Sequence, residues 1–302
     1  MTSRLFFWVR KGADLSDDLT PTTSSKTPGE LLFEEYLERV GITDFEFERD
    51  FPESLKKPDY AIVHHGQLLL DLKDFRGEPK DFEESGFGPY DPYGPIREKI
   101  NEGLRKFKDF KSYPCALVLY NHDKPLVTLR PLFVYAAMLG NLGFSFPVDT
   151  TTGTGDLSRE KTVFSTGGKM IRYDRSKRPI EPQNTTISAV ITIGELRVGQ
   201  GLFEAWLKKE EQNLGRKMTS KEAWQAIDTY ATIAPGEASR TELRVVVHHN
   251  PYARIKWPED IFLGPWDEHY APTEEGYIRR RYAGQALLEW EMQTSKTPDF
   301  PM

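Results

Sequence analysis

The order of hydrophobic and polar positions predicts helices alternating with short strands. Thr27, Pro28 and Glu30 form a capping-box pattern that begins a helix, and Gly41 ends it after Val40. The apolar stripe of this helix consists of Leu32, Phe33, Tyr36, Leu37 and Val40. A half-buried strand is predicted from Phe45 to Phe51, because aromatic residues alternate with acidic ones there.

Two short apolar segments with a break at His64-His65-Gly66 predict a β-hairpin. With His64 and His65 in a type I turn and Gly66 in the left-handed conformation, Val63 pairs with Gln67 and Asp59 lies opposite Asp71. Side chains alternate along a strand, so Asp71 and Lys73 share one face. The sequence therefore predicts two carboxylates and one ammonium group on a polar patch. Like charges so close together repel each other, and their grouping is natural around a divalent cation.

The rest of the pattern continues the alternation of helices and strands. It predicts a helix at 96–110, a fully apolar central strand at 113–120, strands at 186–193 and 243–249, helices at 203–214 and 219–232, and a terminal helix at 274–292. We therefore predict an α/β fold with a mixed central sheet flanked by helices.

Composition limits the class of protein. The chain has 302 residues, of which 38% are hydrophobic and 28% charged, enough for one large domain or two smaller ones. Its apolar runs are all shorter than the roughly 20 residues of a membrane span, so no membrane partner is expected. The single cysteine, Cys115, excludes internal disulfides and cysteine-rich zinc sites and predicts a cytoplasmic protein.

The charge distribution bears on nucleic-acid binding. A net charge of −6 argues against a protein that coats nucleic acid through bulk charge, but it is compatible with a nuclease, whose metal site is itself acidic. The basic cluster from Lys169 to Arg178 has two interpretations, a phosphate-contacting loop or a solvated loop. The adjacent histidines 64–65 and 248–249 are not predicted to bind metal, because neighbours in a strand point to opposite faces.

The order Pro58-Asp59, spacer, Asp71-Leu72-Lys73 resembles the PD-(D/E)XK nuclease superfamily, which has the restriction-endonuclease-like fold. The resemblance implies that Asp59 and Asp71 bind Mg²⁺ or Mn²⁺, with the Leu72 carbonyl as a further ligand. It also implies that Lys73 orients or activates the attacking water.

The superfamily usually carries a metal-reaching glutamate on its first helix. Glu30 is the candidate and Glu34 the reserve, although the capping box alone also explains Glu30. The helix at 96–110 supplies a further polar residue in several relatives, and Lys106 is the nearest match here. Its alternative interpretation, a solvated lysine, is favoured by the sequence.

These observations give one set of expectations. Residues 1–150 are expected to form a PD-(D/E)XK nuclease-like core, with a C-terminal α/β extension at 151–302 packed on it. The expected activity is metal-dependent hydrolysis of phosphodiester bonds in DNA, while RNA as substrate and a homodimer are left open. The alternative is a catalytically silent nucleic-acid-binding or protein-interaction module on the same fold.

Overall fold

The computed structural model describes residues 26–52, 54–77, 91–124, 126–145, 148, 151–154, 161–176, 178–233, 236, 240–272 and 278–282. The helices in these residues are α1 (Pro28–Arg39), α2 (Gly94–Phe107), α3 (Pro131–Leu139), α4 (Val198–Leu214) and α5 (Ser220–Ile233). The strands are β1 (Phe45–Phe47), β2 (Tyr60–Val63), β3 (Gln67–Phe75), β4 (Cys115–Asn121), β5 (Leu142–Ser145), β6 (Lys161–Phe164), β7 (Ile171–Tyr173), β8 (Pro179–Pro182), β9 (Ile187–Arg197), β10 (Thr241–His249), β11 (Glu268–Pro272) and β12 (Ile278–Tyr282). The fold is mixed α/β, as predicted.

A central mixed sheet organises the described part of the chain. Its eight strands lie in the order β1-β2-β3-β4-β9-β10-β11-β12, and two small hairpins, β5-β6 and β7-β8, lie outside it. Strand β4 pairs in parallel with β3 on one side and with β9 on the other. The α2 crossover makes the first parallel pairing possible, because parallel neighbours need a long connection. The prediction of a central, fully apolar strand is confirmed by β4.

Each face of the sheet has its own core. We call the face covered by α2 and α3 the α2 face; its buried side chains include Leu69, Ile100, Phe107, Leu117, Val134 and Leu139. We call the opposite face the α1 face, which α1 and the connection between β10 and β11 cover. Its buried side chains include Phe33, Leu37, Leu70, Val118, Trp257 and Phe262. Alternate residues of β3 therefore enter different cores, and both sides of the strand are buried.

Several elements are confirmed in place. Helix α1 begins after Thr27 with a complete capping box and ends at Arg39. In the hairpin, Val63 pairs with Gln67 and Tyr60 with Leu70, which is the predicted register.

Three local predictions are wrong. Strand β1 ends at Phe47 rather than Phe51, because Glu48 adopts a φ of 50° that breaks the extended backbone. The hairpin turn is not type I, since His65 has a φ of 50° and Gly66 a φ of 141°. The terminal helix predicted at 274–292 is contradicted at β12, which pairs antiparallel with β11. Pairing with the free edge of a neighbouring strand therefore outweighs the local helical pattern.

The chain after residue 150 contributes strands to the same sheet. The strands predicted near 186–193 and 243–249 are found as β9 and β10, and β9 pairs directly with β4. The division into a core at 1–150 and an extension at 151–302 stays a prediction. Within the described ranges, none of the helices combines the length and apolar character needed to cross a membrane.

Candidate functional site

The site begins where β2 separates from β3. If the hairpin register continued beyond Tyr60 and Leu70, Pro58 would lie opposite Leu72. The Leu72 N–H instead donates to Asp59 Oδ2 at 2.6 Å. Proline disfavours continued ladder pairing because it has no N–H to donate. The Asp59 carboxylate thus accepts the hydrogen bond that a paired strand would otherwise accept. This bond fixes the carboxylate at the opening between β2 and β3.

Strand β3 and helix α2 bring the other charged groups to this opening. Asp71 follows Leu69 by two residues, so its side chain points to the α2 face, and it is fully buried. Lys73 Nζ lies 2.7 Å from Asp71 Oδ2. From α2, Lys106 Nζ reaches Asp59 Oδ1 at 2.5 Å and also forms an ion pair with Asp71 Oδ1. We call Asp59, Asp71, Lys73 and Lys106 the carboxylate–lysine cluster.

Burial makes this cluster electrostatically unusual. Burial and the neighbouring Asp59 carboxylate raise the pKa of Asp71 to about 6, although Lys106 and Lys73 oppose the change. Burial alone would lower the pKa of Lys106, but the Asp71 and Asp59 carboxylates outweigh it and raise that pKa. Lys106 therefore stays charged at neutral pH. Asp71 titrates within reach of physiological pH.

The donor set fits a hard divalent cation. One oxygen of Asp59 and one oxygen of Asp71 contact the same cationic atom, Lys106 Nζ. Carboxylate and carbonyl oxygens are the ligands that Mg²⁺ prefers. The Leu72 N–H points to the opening. Since the N–H and C=O of one strand residue point to the same side, the Leu72 carbonyl faces the opening as well.

Comparison with known proteins adds no assignment. No protein-family model, no curated protein and no solved structure matches this chain. The interpretation of the cluster therefore rests on the geometry of its own residues.

The two helix glutamates lie in other contacts. Glu30 Oε2 accepts from the Thr27 N–H at 2.6 Å, and Thr27 Oγ1 accepts from the Glu30 N–H at 3.3 Å, which completes the capping box. Glu34 pairs with Lys26 at 2.6 Å, and its Oε1 accepts from the Tyr60 hydroxyl at 3.1 Å. Helix α1 covers the face opposite to the one at which Asp71 points. In the described part of the chain, no hydrogen bond or ion pair joins either glutamate to Asp59 or Asp71.

Lys106 is the site residue that sequence reasoning undervalued. The pattern of α2 places Lys106 among other lysines and arginines, which suggests a solvated lysine. That interpretation is wrong, because only 21% of the Lys106 side chain is exposed and its ammonium group contacts two carboxylates. One signal was available. Lys106 precedes the buried Phe107, at the border of the apolar stripe that packs on β3 and β4.

The basic cluster from Lys169 to Arg178 lies on and around the β7-β8 hairpin. Arg172, Arg175 and Arg178 are exposed. Arg172 pairs with Glu181 of the facing strand at 2.8 Å, which reduces its free positive charge. Both interpretations of this cluster, phosphate contact and solvated loop, remain predictions.

Proposed function

We propose that this protein is a cytoplasmic, Mg²⁺- or Mn²⁺-dependent nuclease that hydrolyses phosphodiester bonds, with DNA as its substrate class. The observation that carries the proposal is the meeting of Asp59, Asp71 and Lys73 at the separation of β2 and β3. The element order α1-β1-β2-β3-α2-β4 supports a core of the restriction-endonuclease-like type. A free, buried Cys115 supports a reducing compartment.

Energetics argue against a purely structural cluster. A buried ion network gains little over apolar packing, because removing its charges from water costs several kcal/mol per ion. The rise in the pKa of Asp71 from 3.8 to about 6 means that its charged form is disfavoured by on the order of 3 kcal/mol. Such a cost is typical of sites where the charges serve binding or catalysis.

Each residue has a defined role in the proposal. Asp59 and Asp71 supply carboxylate oxygens for the metal, and the Leu72 carbonyl supplies a further ligand. The bound metal would neutralise phosphate charge and lower the pKa of a bound water. The Lys73 ammonium group lies beside Asp71, where it would hold the water in place and stabilise developing negative charge.

One observation favours a second function, a catalytically silent binding module. Lys106 already supplies a positive charge where the oxygens of Asp59 and Asp71 converge. The two carboxylates and two ammonium groups of the cluster cancel in formal charge. If Lys106 keeps this position permanently, the acids need no metal, and the protein would bind nucleic acid without cleaving it.

Cleavage and metal binding measured side by side test the proposal. Wild-type protein is incubated with single- and double-stranded DNA and RNA in Mg²⁺, Mn²⁺ or EDTA. We expect metal-dependent cleavage that Asp71→Asn abolishes. Lys73→Met should keep metal binding, measured by calorimetry, yet lose about a hundredfold or more in rate, because one charge-stabilising group is gone.

Asp50→Asn is the matched control, because it makes the same chemical change at a carboxylate whose side chain is 84% exposed. It should cleave as the wild type does. Unchanged cleavage in Asp71→Asn would overturn the nuclease proposal. Salt-dependent nucleic-acid binding without cleavage or metal binding would select the silent module.

A further inference from the structure

A second group of metal-binding side chains lies at the turn between β2 and β3. His64, His65 and Asp260 each offer one ligand atom, and these atoms lie within 4.8 Å of one another. His64 Nε2 lies 3.0 Å from Asp260 Oδ1, and His65 Nε2 lies 3.1 Å from Asp260 Oδ2. None of the three residues belongs to the carboxylate–lysine cluster.

The backbone explains how adjacent histidines reach one carboxylate. In an extended strand, His64 and His65 would point to opposite faces. The left-handed conformation of His65, with a φ of 50°, breaks this alternation. The two rings consequently lie close together, with centroids 4.5 Å apart. The premise that the two side chains point to opposite faces fails, because the pair lies in the turn rather than in a strand and both imidazoles reach Asp260.

Asp260 is held in place from the other side. It belongs to the connection between β10 and β11, in which the neighbouring Ile261 and Phe262 are 3% and 1% exposed in the core of the α1 face. Trp257 of the same connection is also buried there. The carboxylate is therefore presented by an anchored segment, which favours a defined binding geometry.

We propose that His64, His65 and Asp260 form a binding site for a divalent transition-metal ion of the zinc class. Two imidazole nitrogens and one carboxylate are a common protein ligand set for zinc, with a fourth position left for water or a further ligand. At bond lengths of roughly 2.0–2.1 Å, tetrahedral ligand atoms lie about 3.3 Å apart. The present nitrogen–oxygen distances of 3.0 and 3.1 Å, one to each oxygen of Asp260, are close to this value, and a movement of the exposed imidazoles and carboxylate would bring the three ligand atoms, now within 4.8 Å of one another, to a common centre.

The bound ion would join the hairpin turn to the connection that carries Asp260. The two segments are far apart in sequence, and the ion pairs that Asp260 forms with the two histidines contribute little stability by themselves, because the Asp260 side chain is 57% exposed. The site chemistry also differs from that of the carboxylate–lysine cluster. Imidazole ligands suit zinc, whereas oxygen ligands alone suit magnesium and manganese.

Calorimetric titration with Zn²⁺ tests this site, with thermal unfolding as a second readout. Wild-type protein is expected to bind one Zn²⁺ through these residues and to unfold at a higher temperature when zinc is present. His64→Ala and Asp260→Asn should weaken binding by more than about tenfold, since even outer-shell partners of a metal are worth 10- to 100-fold in affinity. Asp260 is exposed, His64 is half-buried and neither belongs to a core of the sheet, so the variants should fold normally.

Two controls separate this site from the rest of the protein. His122→Ala removes another exposed imidazole and should leave zinc binding unchanged. Asp71→Asn disables the carboxylate–lysine cluster and should also leave it unchanged. The proposal is overturned if wild-type protein does not bind zinc, if both His64→Ala and Asp260→Asn bind it normally, or if Asp71→Asn loses it.

Discussion

Asp71 is the residue on which the chemistry of the carboxylate–lysine cluster depends. Its side chain is fully buried, yet it forms ion pairs with Lys73 and Lys106. Because its pKa is higher in the folded chain than in the unfolded chain, folding favours the protonated acid. Its contribution to the free energy of unfolding is therefore complete below about pH 4 and is lost as the pH rises through about 6.

Metal binding should reveal the titration of Asp71. A carboxylate must lose its proton before it binds a cation, and burial raises the pKa of Asp71 to about 6. We expect the association constant for Mg²⁺ or Mn²⁺ to fall about tenfold for each pH unit below about 6 and to level off above it. Calorimetry between pH 5 and 8 measures this profile. An affinity that does not change between pH 5 and 7 would contradict the role of Asp71.

Lys106 should control the affinity for metal. Its ammonium group repels a divalent cation that approaches Asp59 and Asp71, and it must move aside when one binds. Lys106→Met keeps the apolar stem without the charge, so we expect tighter Mg²⁺ binding in the absence of nucleic acid. Calorimetry on both proteins decides the point.

Lys99→Met, which changes a lysine of the same helix that pairs with Glu102, serves as the control. Equal affinity in Lys106→Met and wild type would show that Lys106 does not oppose the metal. Metal binding by Lys106→Met alone would favour the silent module for the wild-type protein.

At the scale of the element, Glu30 of helix α1 has two candidate roles, closing the capping box and reaching the metal. Glu30 closes the capping box with Thr27. Glutamine can also occupy the third helical position of a capping box, so Glu30→Gln should keep the helix stable while it removes the negative charge. Thr27→Ala should lower the free energy of unfolding by about 1 kcal/mol. Denaturant unfolding and cleavage assays on both variants distinguish the roles.

The contacts of Glu30 predict the outcome of that pair of measurements. Since its carboxylate binds the Thr27 N–H, we expect Glu30→Gln to cleave at nearly the wild-type rate. A large loss of cleavage in Glu30→Gln with unchanged stability would instead assign Glu30 to the metal. Glu34→Gln then tests the reserve candidate, whose carboxylate contacts Lys26 and Tyr60.

Local patterns determined which elements were predictable from the sequence. Helix α1 and the β2-β3 register follow from short-range signals, namely a capping box and a break between apolar segments. The contact of Lys106 with Asp59 and Asp71 spans more than thirty residues of chain and arises from the packing of α2 on the sheet. Strand β12 was mistaken for a helix because its pairing with β11 is a tertiary event.

At the scale of the whole molecule, the central sheet makes the two halves of the chain depend on each other. Strand β4 pairs with β9 along residues Cys115 to Tyr120, so residues 1–150 alone would leave a long apolar edge unpaired. We expect a fragment of residues 1–150 to be insoluble or unfolded. Circular dichroism and size-exclusion chromatography of the fragment and the full chain test this. A folded, monomeric fragment would show that the nuclease-like core is independent.

The buried position of Cys115 makes its thiol a probe of local opening of the central sheet. This single cysteine begins β4, is fully buried, and burial raises the pKa of its thiol. A thiol reagent can react only when the middle of the sheet opens, so the labelling rate under native conditions measures the free energy of that opening. The same measurement applies without any added probe to each variant described above. It therefore separates a loss of activity caused by chemistry from one caused by loosening of the fold.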